Sequence, residues 1–421
     1  MLSTKPSVLF TLLLALVVTT CPASAQGVKA APAPTPATIG SPPATVSTTA
    51  GHAAVADGLI AKAFESQKLV AISVVVAKDG SAVYQQHIGF EDREAHVPAG
   101  AATMYRWASI SKPVTATVTM MMLEAGKFEL DADVRTLVPE FPAKPWVVTP
   151  RQLLGHLGGI VHYDNGKVVA LPVPATPEHP YADVVKALDT FKESPLVCEP
   201  GTKYSYTTHG YMLLGACVER ASGIRYWTLV KDWIVPGAEM TTFRPDYQWE
   251  KIEHRAVGYR KDAKGEMVKS TDTDVSWKLP GGGFISTVGD LSRFSSALMD
   301  GKLVRPETFA LMRTPQTLKS GEKTGYGLGL SIGTLGDRAT VSHAGAQEKS
   351  STYLLMLPEE KLSVAIMSNT EGASLGQLAE AIAAEWLGVK VAASAGSLDK
   401  AAPKPVVPTP SPSDLVPVNT K

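Results

Sequence analysis

Residues 71–88 read AISVVVAKDGSAVYQQHI. The run 71–77 is rich in Val and Ile, side chains that suit a packed, extended backbone. Asp79-Gly80 is a hairpin turn signal, because both residues tolerate the positive φ that tight turns need. Strand character resumes over 82–88, so the stretch predicts an opening antiparallel pair. Four further candidate strands stand near the other end, at 326–332, 340–343, 351–357 and 362–368. Pro358-Glu359-Glu360-Lys361 turns the chain between the last two. Helical spacing of apolar residues marks 53–68 ahead of the first strand and 374–386 after the last. Between the two strand regions the pattern is mainly helical, with candidates at 110–126, 151–156, 181–191, 208–222, 225–233 and 289–299. Early strands, a helical middle and late strands predict an α+β fold. Its antiparallel sheet is formed from both chain ends and flanked by helices, and the mainly helical region is an insertion.

The 421-residue chain carries 40 basic and 40 acidic residues and is 44% apolar. This balance suits a globular core and gives no reason to expect nucleic acid as a partner. The N-terminus reads as an export signal. Lys5 gives the positive region, residues 8–18 the apolar one, and Ala23-Ser24-Ala25 a cleavage pattern, with Gln26 as the new start. This predicts a periplasmic or secreted protein with no stable membrane span after signal removal, since the apolar run is short for a bilayer. Residues 26–52 are rich in Pro, Ala and Thr and predict a disordered linker. Residues 391–421, with six prolines from Pro403 to Pro417, predict a tail of the same kind. The remaining body, 53–390, is one catalytic domain. Past the signal only Cys198 and Cys217 are left; neither sits in a catalytic cysteine signature, and the expectation is that they stay unpaired.

Three places carry possible chemistry. In Ser109-Ile110-Ser111-Lys112 the three-residue spacing puts serine and lysine on one helix face. A lysine made neutral by burial or a nearby cation can take the serine proton and turn the hydroxyl into a nucleophile. The same spacing recurs at Ser320/Lys323 and Ser397/Lys400. Only Ser109 opens an apolar helix, with Ile110, Val114, Val118 and Met121 along one side; on the residues alone it reads equally as that helix's cap. The second place is Tyr204-Ser205-Tyr206-Thr207-Thr208, a hydroxyl-rich helix entrance. There Tyr206 is either a proton carrier, if nearby cations lower its pKa, or a packed aromatic. The third is His343-Ala344-Gly345-Ala346, at the end of a strand. Gly345 allows close backbone approach, edge N–H groups can face a carbonyl, and His343 can donate to substrate or to Tyr206, or serve only structure. The chain has no His-Glu-x-x-His helix or phosphate-binding loop.

Taken in order, these segments resemble the serine β-lactamase-like, penicillin-binding superfamily. Its Ser-x-x-Lys, Tyr-x-Asn-type and Lys-Thr-Gly or His-x-Gly motifs match Ser109–Lys112, Tyr206-Thr207-Thr208 and His343-Ala344-Gly345. Tyr105-Arg106-Trp107-Ala108, Gln152-Leu153-Leu154-Gly155-His156, Gly281–Thr287 and Tyr326-Gly327-Leu328-Gly329 are similar too. The nearest branch in character is that of the mitochondrial serine β-lactamase-like protein and its bacterial relatives. The resemblance implies an acyl hydrolase of peptidase or esterase type. Ser109 would be acylated, Lys112 would take its proton, and Tyr206 would shuttle protons. The backbone N–H groups of Ser109 and Ala346 would form the oxyanion hole, and Thr208, Gly345 and Ala346 would contact substrate. It implies no metal and no cofactor, and a small peptide, ester or β-lactam-like substrate. A true class C-like β-lactamase, or an inactive module binding peptidoglycan fragments, are the alternatives. Departures from the family pattern are Thr208 in place of Asn, His343 in place of Lys, Leu157-Gly158 in place of Thr-Ser, and Glu348-Lys349 in place of a small turn. Lys323-Thr324-Gly325 spells the third motif literally, but it falls upstream of where the motif order requires it.

Overall fold

Asp79 and Gly80 both take positive φ, 51° and 78°, and close a hairpin between β1 (Ala71–Lys78) and β2 (Ser81–Asp92). The computed structural model describes residues 50–174 and 177–389. The expected signal segment and tail, and the linker up to residue 49, lie outside the described residues. The first helix, Ala50–Gln67, begins ahead of the expected start at residue 53.

Further strands are β3 (Val97–Pro98), β4 (Tyr105–Arg106), β5 (Arg244–Pro245), β6 (Tyr259–Lys261), β7 (Met267–Lys269) and β8 (Phe284–Ser286). The late group is β9 (Ser331–Leu335), β10 (Arg338–Gln347), β11 (Ser350–Leu357) and β12 (Leu362–Ser368). The main sheet has the order β3-β2-β1-β12-β11-β10-β9. The first and last long strands lie side by side, antiparallel, from Ile72 opposite Ser368 to Lys78 opposite Leu362. The sheet is thus built from both chain ends, as the α+β reading expects. A small sheet, β4-β8-β5, ties the segment before Ser109 to the Gly281–Thr287 region.

Burial on both faces explains why β1, β11 and β12 read as continuous apolar runs with no alternation. On one face Ile72, Val74, Val76, Leu355 and Ile366 pack under the terminal helices, Ala50–Gln67 and Gly376–Leu387. His52 Nδ1 and Glu385 Oε1, 2.8 Å apart, clasp those two helices together. On the other face Val75, Leu354, Met356 and Met367 join the large core of the helical region, centred on helices Ser111–Glu124 and Thr208–Ser222.

Two expectations move. The strand expected at 326–332 starts only at Ser331. Gly329 takes φ 88°, and a Cβ at Gly327 would meet the Met312 carbonyl oxygen at 2.1 Å, so this stretch is a tight packed loop. The helix expected at 181–191 is two short 3-10 segments, Pro180–Ala182 and Lys186–Thr190. Asp183 separates them, its carboxylate accepting the N–H groups of Val185 and Lys186 as a turn.

Candidate active site

Ser109 lies in a single 3-10 turn, Ala108–Ile110, and the α-helix proper starts at Ser111. Ala108 takes φ 50°, a left-handed conformation costing an alanine about 1 kcal/mol, so its surroundings must impose it. They do so through dense anchoring of the preceding residues. Trp107 N–H donates to the Phe284 carbonyl at 2.8 Å, and its indole N–H to Ser286 Oγ at 2.7 Å. The Trp107 carbonyl accepts from Thr352 Oγ1 at 3.0 Å, and the Arg106 carbonyl from Ser350 Oγ at 2.6 Å. The buried Arg106 guanidinium pairs with Asp246 at 2.6 Å, and Arg255 pairs with the other oxygen of that carboxylate.

Lys112, one turn on, is fully buried. Its Nζ stands 3.0 Å from Ser109 Oγ, 3.2 Å from Thr208 Oγ1 and 2.8 Å from the Gly281 carbonyl. Burial, and next the charge of Lys278, hold the Lys112 ammonium well below the usual lysine range. The three partners suit a neutral amine. Two N–H groups go to Gly281 O and Thr208 Oγ1, and the lone pair is left to accept the Ser109 hydroxyl proton.

Tyr206 is hydrogen-bonded to Ser109, and its ring lies 4.8 Å from Lys112 Nζ. Burial raises its phenol above the ordinary value, and the bond to Ser109 offsets only part of this. The proton-carrier reading of Tyr206 supposed cations that lower its pKa. In this pocket it is a neutral phenol, and Lys112 is the group tuned toward a base. Thr208 takes part through Lys112, and its hydroxyl is also bonded to Tyr163.

On the opposite wall, Gly345 brings β10 against the serine turn. A Cβ there would sit 2.1 Å from Thr352 Oγ1 and 2.6 Å from the Trp107 carbonyl oxygen. Ala346 follows and lines the same narrow cleft as Ser109, Tyr206 and Thr208, a space of about 20 Å³. His343 does not line that cleft. Its Nε2 meets the Tyr326 hydroxyl at 2.9 Å and its Nδ1 the Ala344 carbonyl at 2.7 Å. Burial and the Lys112 charge lower it to about 3, so it is a neutral ring packed beneath the site. A roomier hollow of about 340 Å³ lies among Asp183, Glu219 and Arg225, whose charges pair with one another and offer no nucleophile.

The sequence reading did not single out His162, Tyr163, Lys278 or Gln347, yet all four line the Ser109 cleft. Lys278 had a visible signal, a lone cation in the otherwise apolar and glycine-rich run Trp277–Gly283. Cys198 and Cys217 stand free. Among the described residues no group of three or more His, Cys, Asp or Glu side chains is placed to hold a metal ion. No described helix is long and apolar enough to cross a membrane.

The beta-lactamase family model matches residues 56–385. The chain belongs to that family, whose members are serine hydrolases, and its main sheet with flanking helices is the family's fold. The mitochondrial serine beta-lactamase-like protein LACTB of Mus musculus is 31% identical over 389 residues, covering 70% of each chain. Penicillin-binding protein 4* of Bacillus subtilis is 27% identical and covers 71% of this chain and 68% of its own. Among solved structures, the octameric penicillin-binding protein homologue from Pyrococcus abyssi superposes with a TM-score of 0.68 at 25% identity, over 80% of this chain and 78% of that one.

Proposed function

We propose that the protein is an exported serine acyl hydrolase of peptidase or esterase type that works through an acyl-enzyme on Ser109. The observation that carries the reading is the buried Lys112 amine 3.0 Å from Ser109 Oγ, with its other partners satisfied. Ser109 Oγ attacks the substrate carbonyl carbon while its proton passes to Lys112 Nζ. The carbonyl oxygen becomes an oxyanion facing the backbone N–H groups of Ser109 and Ala346. As the tetrahedral adduct collapses, the bond to the leaving group breaks and that group takes a proton relayed from Lys112 by way of the Tyr206 hydroxyl. Water then attacks the acyl-enzyme, returns a proton to Ser109 along the same relay, and releases the acid. Thr208 and Gly345 shape the wall against which the acyl group lies. His343 acts from outside the cleft, holding the hydroxyl of Tyr326, whose ring packs on His156.

Export rests on the basic, apolar and small-residue pattern of residues 1–25. N-terminal sequencing of the protein purified from its native host is expected to begin at Gln26. A second reading, β-lactam turnover, is favoured by the likeness to penicillin-binding protein 4*. Rapid nitrocefin hydrolysis lost in Ser109→Ala would establish it.

Fluorophosphonate labelling followed by intact-mass analysis and peptide mapping tests the central reading. The expected result is one adduct on Ser109, abolished in Lys112→Ala. A folded wild type that takes no adduct would leave a binding module and no hydrolase.

A further inference from the structure

We propose that Lys278, Gln347 and His162 form a subsite for a substrate carboxylate beside the scissile carbonyl, making Lys278 the residue that selects acidic substrates over neutral ones. The inference rests on the serine hydrolase reading and names the substrate class of that site.

The three side chains come from separate segments and meet at the same cleft as Ser109. Lys278 ends the 3-10 turn Ser276–Lys278 and is only 3% exposed. Gln347 ends β10 and is only 6% exposed, and its Nε2 is buried without a hydrogen-bond partner. Their closeness can be read at Gly282. A Cβ there would lie 3.3 Å from Gln347 Oε1, 3.7 Å from Lys278 Cδ and 3.8 Å from the carbonyl carbon of Ala108. The amide and the lysine stem therefore converge on a point next to the peptide bond that precedes Ser109. The absence of a side chain at Gly282 keeps that point open.

His162 adds a donor. Its Nδ1 accepts the Thr208 N–H at 3.2 Å. Burial, and next the neighbouring His209, Lys112 and Lys278, lower it to about 2. A neutral imidazole whose Nδ1 accepts must carry its hydrogen on Nε2. The wall thus offers an ammonium, an amide NH₂ and an imidazole N–H. Of these donors the Gln347 Nε2 is buried with no acceptor in the protein, which is costly unless an acceptor answers it, and a carboxylate supplies two acceptor oxygens.

The charges around Lys278 fit the same assignment. Burial is the main influence that lowers it, Arg106 adds to this, and Glu348 and Asp274 oppose it. An entering carboxylate acts in the same sense as those two acids and completes the ammonium's surroundings. His343 is not available for this task, since both its ring nitrogens are engaged within the protein.

Two matched substrate pairs test the subsite. One carries the charge on the acyl side, 4-nitrophenyl hydrogen glutarate against its neutral methyl ester. The other carries it on the leaving group, hippuryl-glycolic acid against its N-methylamide. At neutral pH the acid of at least one pair is expected to win in kcat/KM by about tenfold or more. Lys278→Met is expected to erase that ratio and Lys278→Arg to restore part of it. Gln347→Leu is expected to reduce it by about threefold, and reads the subsite even where the lysine variant does not fold. The ratio, not the absolute rate, is the readout, because Lys278 also acts on Lys112. No acid preference in either pair, or a preference that survives both Lys278→Met and Gln347→Leu, overturns the assignment. Fluorophosphonate labelling of the same wild-type sample separates the two levels. A labelled Ser109 without acid preference overturns the subsite alone, whereas a folded protein that takes no label and cleaves none of the four compounds overturns the hydrolase reading with it.

Discussion

His156 holds Tyr206 from both flanks: its carbonyl accepts the N–H of Ser205 at 2.9 Å and its Nδ1 accepts the N–H of Thr207 at 3.2 Å. The imidazole also packs on the Tyr206 ring, with centroids 4.3 Å apart. His156 takes φ 58° to make both bonds at once. Burial, and next the Lys112 charge, keep the ring neutral and hence able to accept. In the proposed mechanism His156 is a positioning residue, acting on the reaction through Tyr206.

Removing the side-chain half of this grip, the Nδ1 bond and the ring packing, lets the phenol drift from Ser109, and a shift of about 1 Å can cost on the order of a hundredfold in rate. His156→Ala is expected to lower kcat about ten- to hundredfold with KM little changed. His156→Asn is expected to recover part of the loss, because Asn tolerates the left-handed backbone and offers an acceptor oxygen. Steady-state kinetics on a neutral nitrophenyl ester check this. Equal kcat in wild type and His156→Ala would show that Tyr206 needs no such hold.

In the proposed mechanism Lys112 must be neutral to take the Ser109 proton, so activity is expected to rise with pH as the ammonium deprotonates. Its pKa is depressed, first by burial and then by Lys278. The acid limb of the kcat/KM profile for a neutral ester is therefore expected well below the lysine range. Lys278→Met removes a like charge that disfavours the protonated form. The Lys112 pKa then rises and the limb moves to higher pH. The variant loses activity on the acid side of its profile and regains it as the pH rises. A limb that stays in place or moves toward acid would mean that another group governs it.

Much of this arrangement was legible in the residues, for reasons that differ from part to part. The sheet could be read because β1 and β12 are buried on both faces and so are continuous apolar runs. The Asp79-Gly80 turn could be read because only a few residue types tolerate its backbone. Ser109 and Lys112 could be paired because a fixed helical spacing links them. The two copies of that spacing differ in setting: Ser320 and Lys323 are exposed in a loop, and Ser397/Lys400 lies outside the described residues. The loop at 326–330 was misread as strand because its pattern is extended while its glycines answer to packing against Met312. Lys278, Gln347 and His162 were not legible because no local spacing relates them. They meet through the register of β10 and the turn before Gly281, contacts that only the tertiary fold creates. The neutrality of Tyr206 was hidden for the same reason, since its pKa depends on burial and not on its neighbours in sequence.

Gly345 is the point where the third motif touches the nucleophile's turn, and the space there excludes even a methyl group. The nearest obstacles to a Cβ are Thr352 Oγ1 at 2.1 Å, the Trp107 carbonyl oxygen at 2.6 Å and the Ala108 Cβ at 3.1 Å. Thr352 faces Gly345 directly across the β10–β11 ladder, and its hydroxyl already bonds the Trp107 carbonyl. It cannot turn aside without giving up that bond, and the Trp107 carbonyl is fixed backbone. Gly345→Ala must therefore push β10 away from the turn that carries Ser109, and Ala346 moves with it. Overpacking of this kind costs about 1–3 kcal/mol of stability. In the proposed mechanism the same displacement opens the space between the Ser109 and Ala346 N–H groups assigned to the oxyanion. Losing one such donor costs on the order of a hundredfold in kcat. The variant is expected to remain folded with a melting point lowered by a few degrees, and to lose far more activity than stability. Fluorophosphonate labelling rates and thermal melts on the same preparation measure the two effects. A Gly345→Ala protein that labels at the wild-type rate would show that β10 does not help form the oxyanion site.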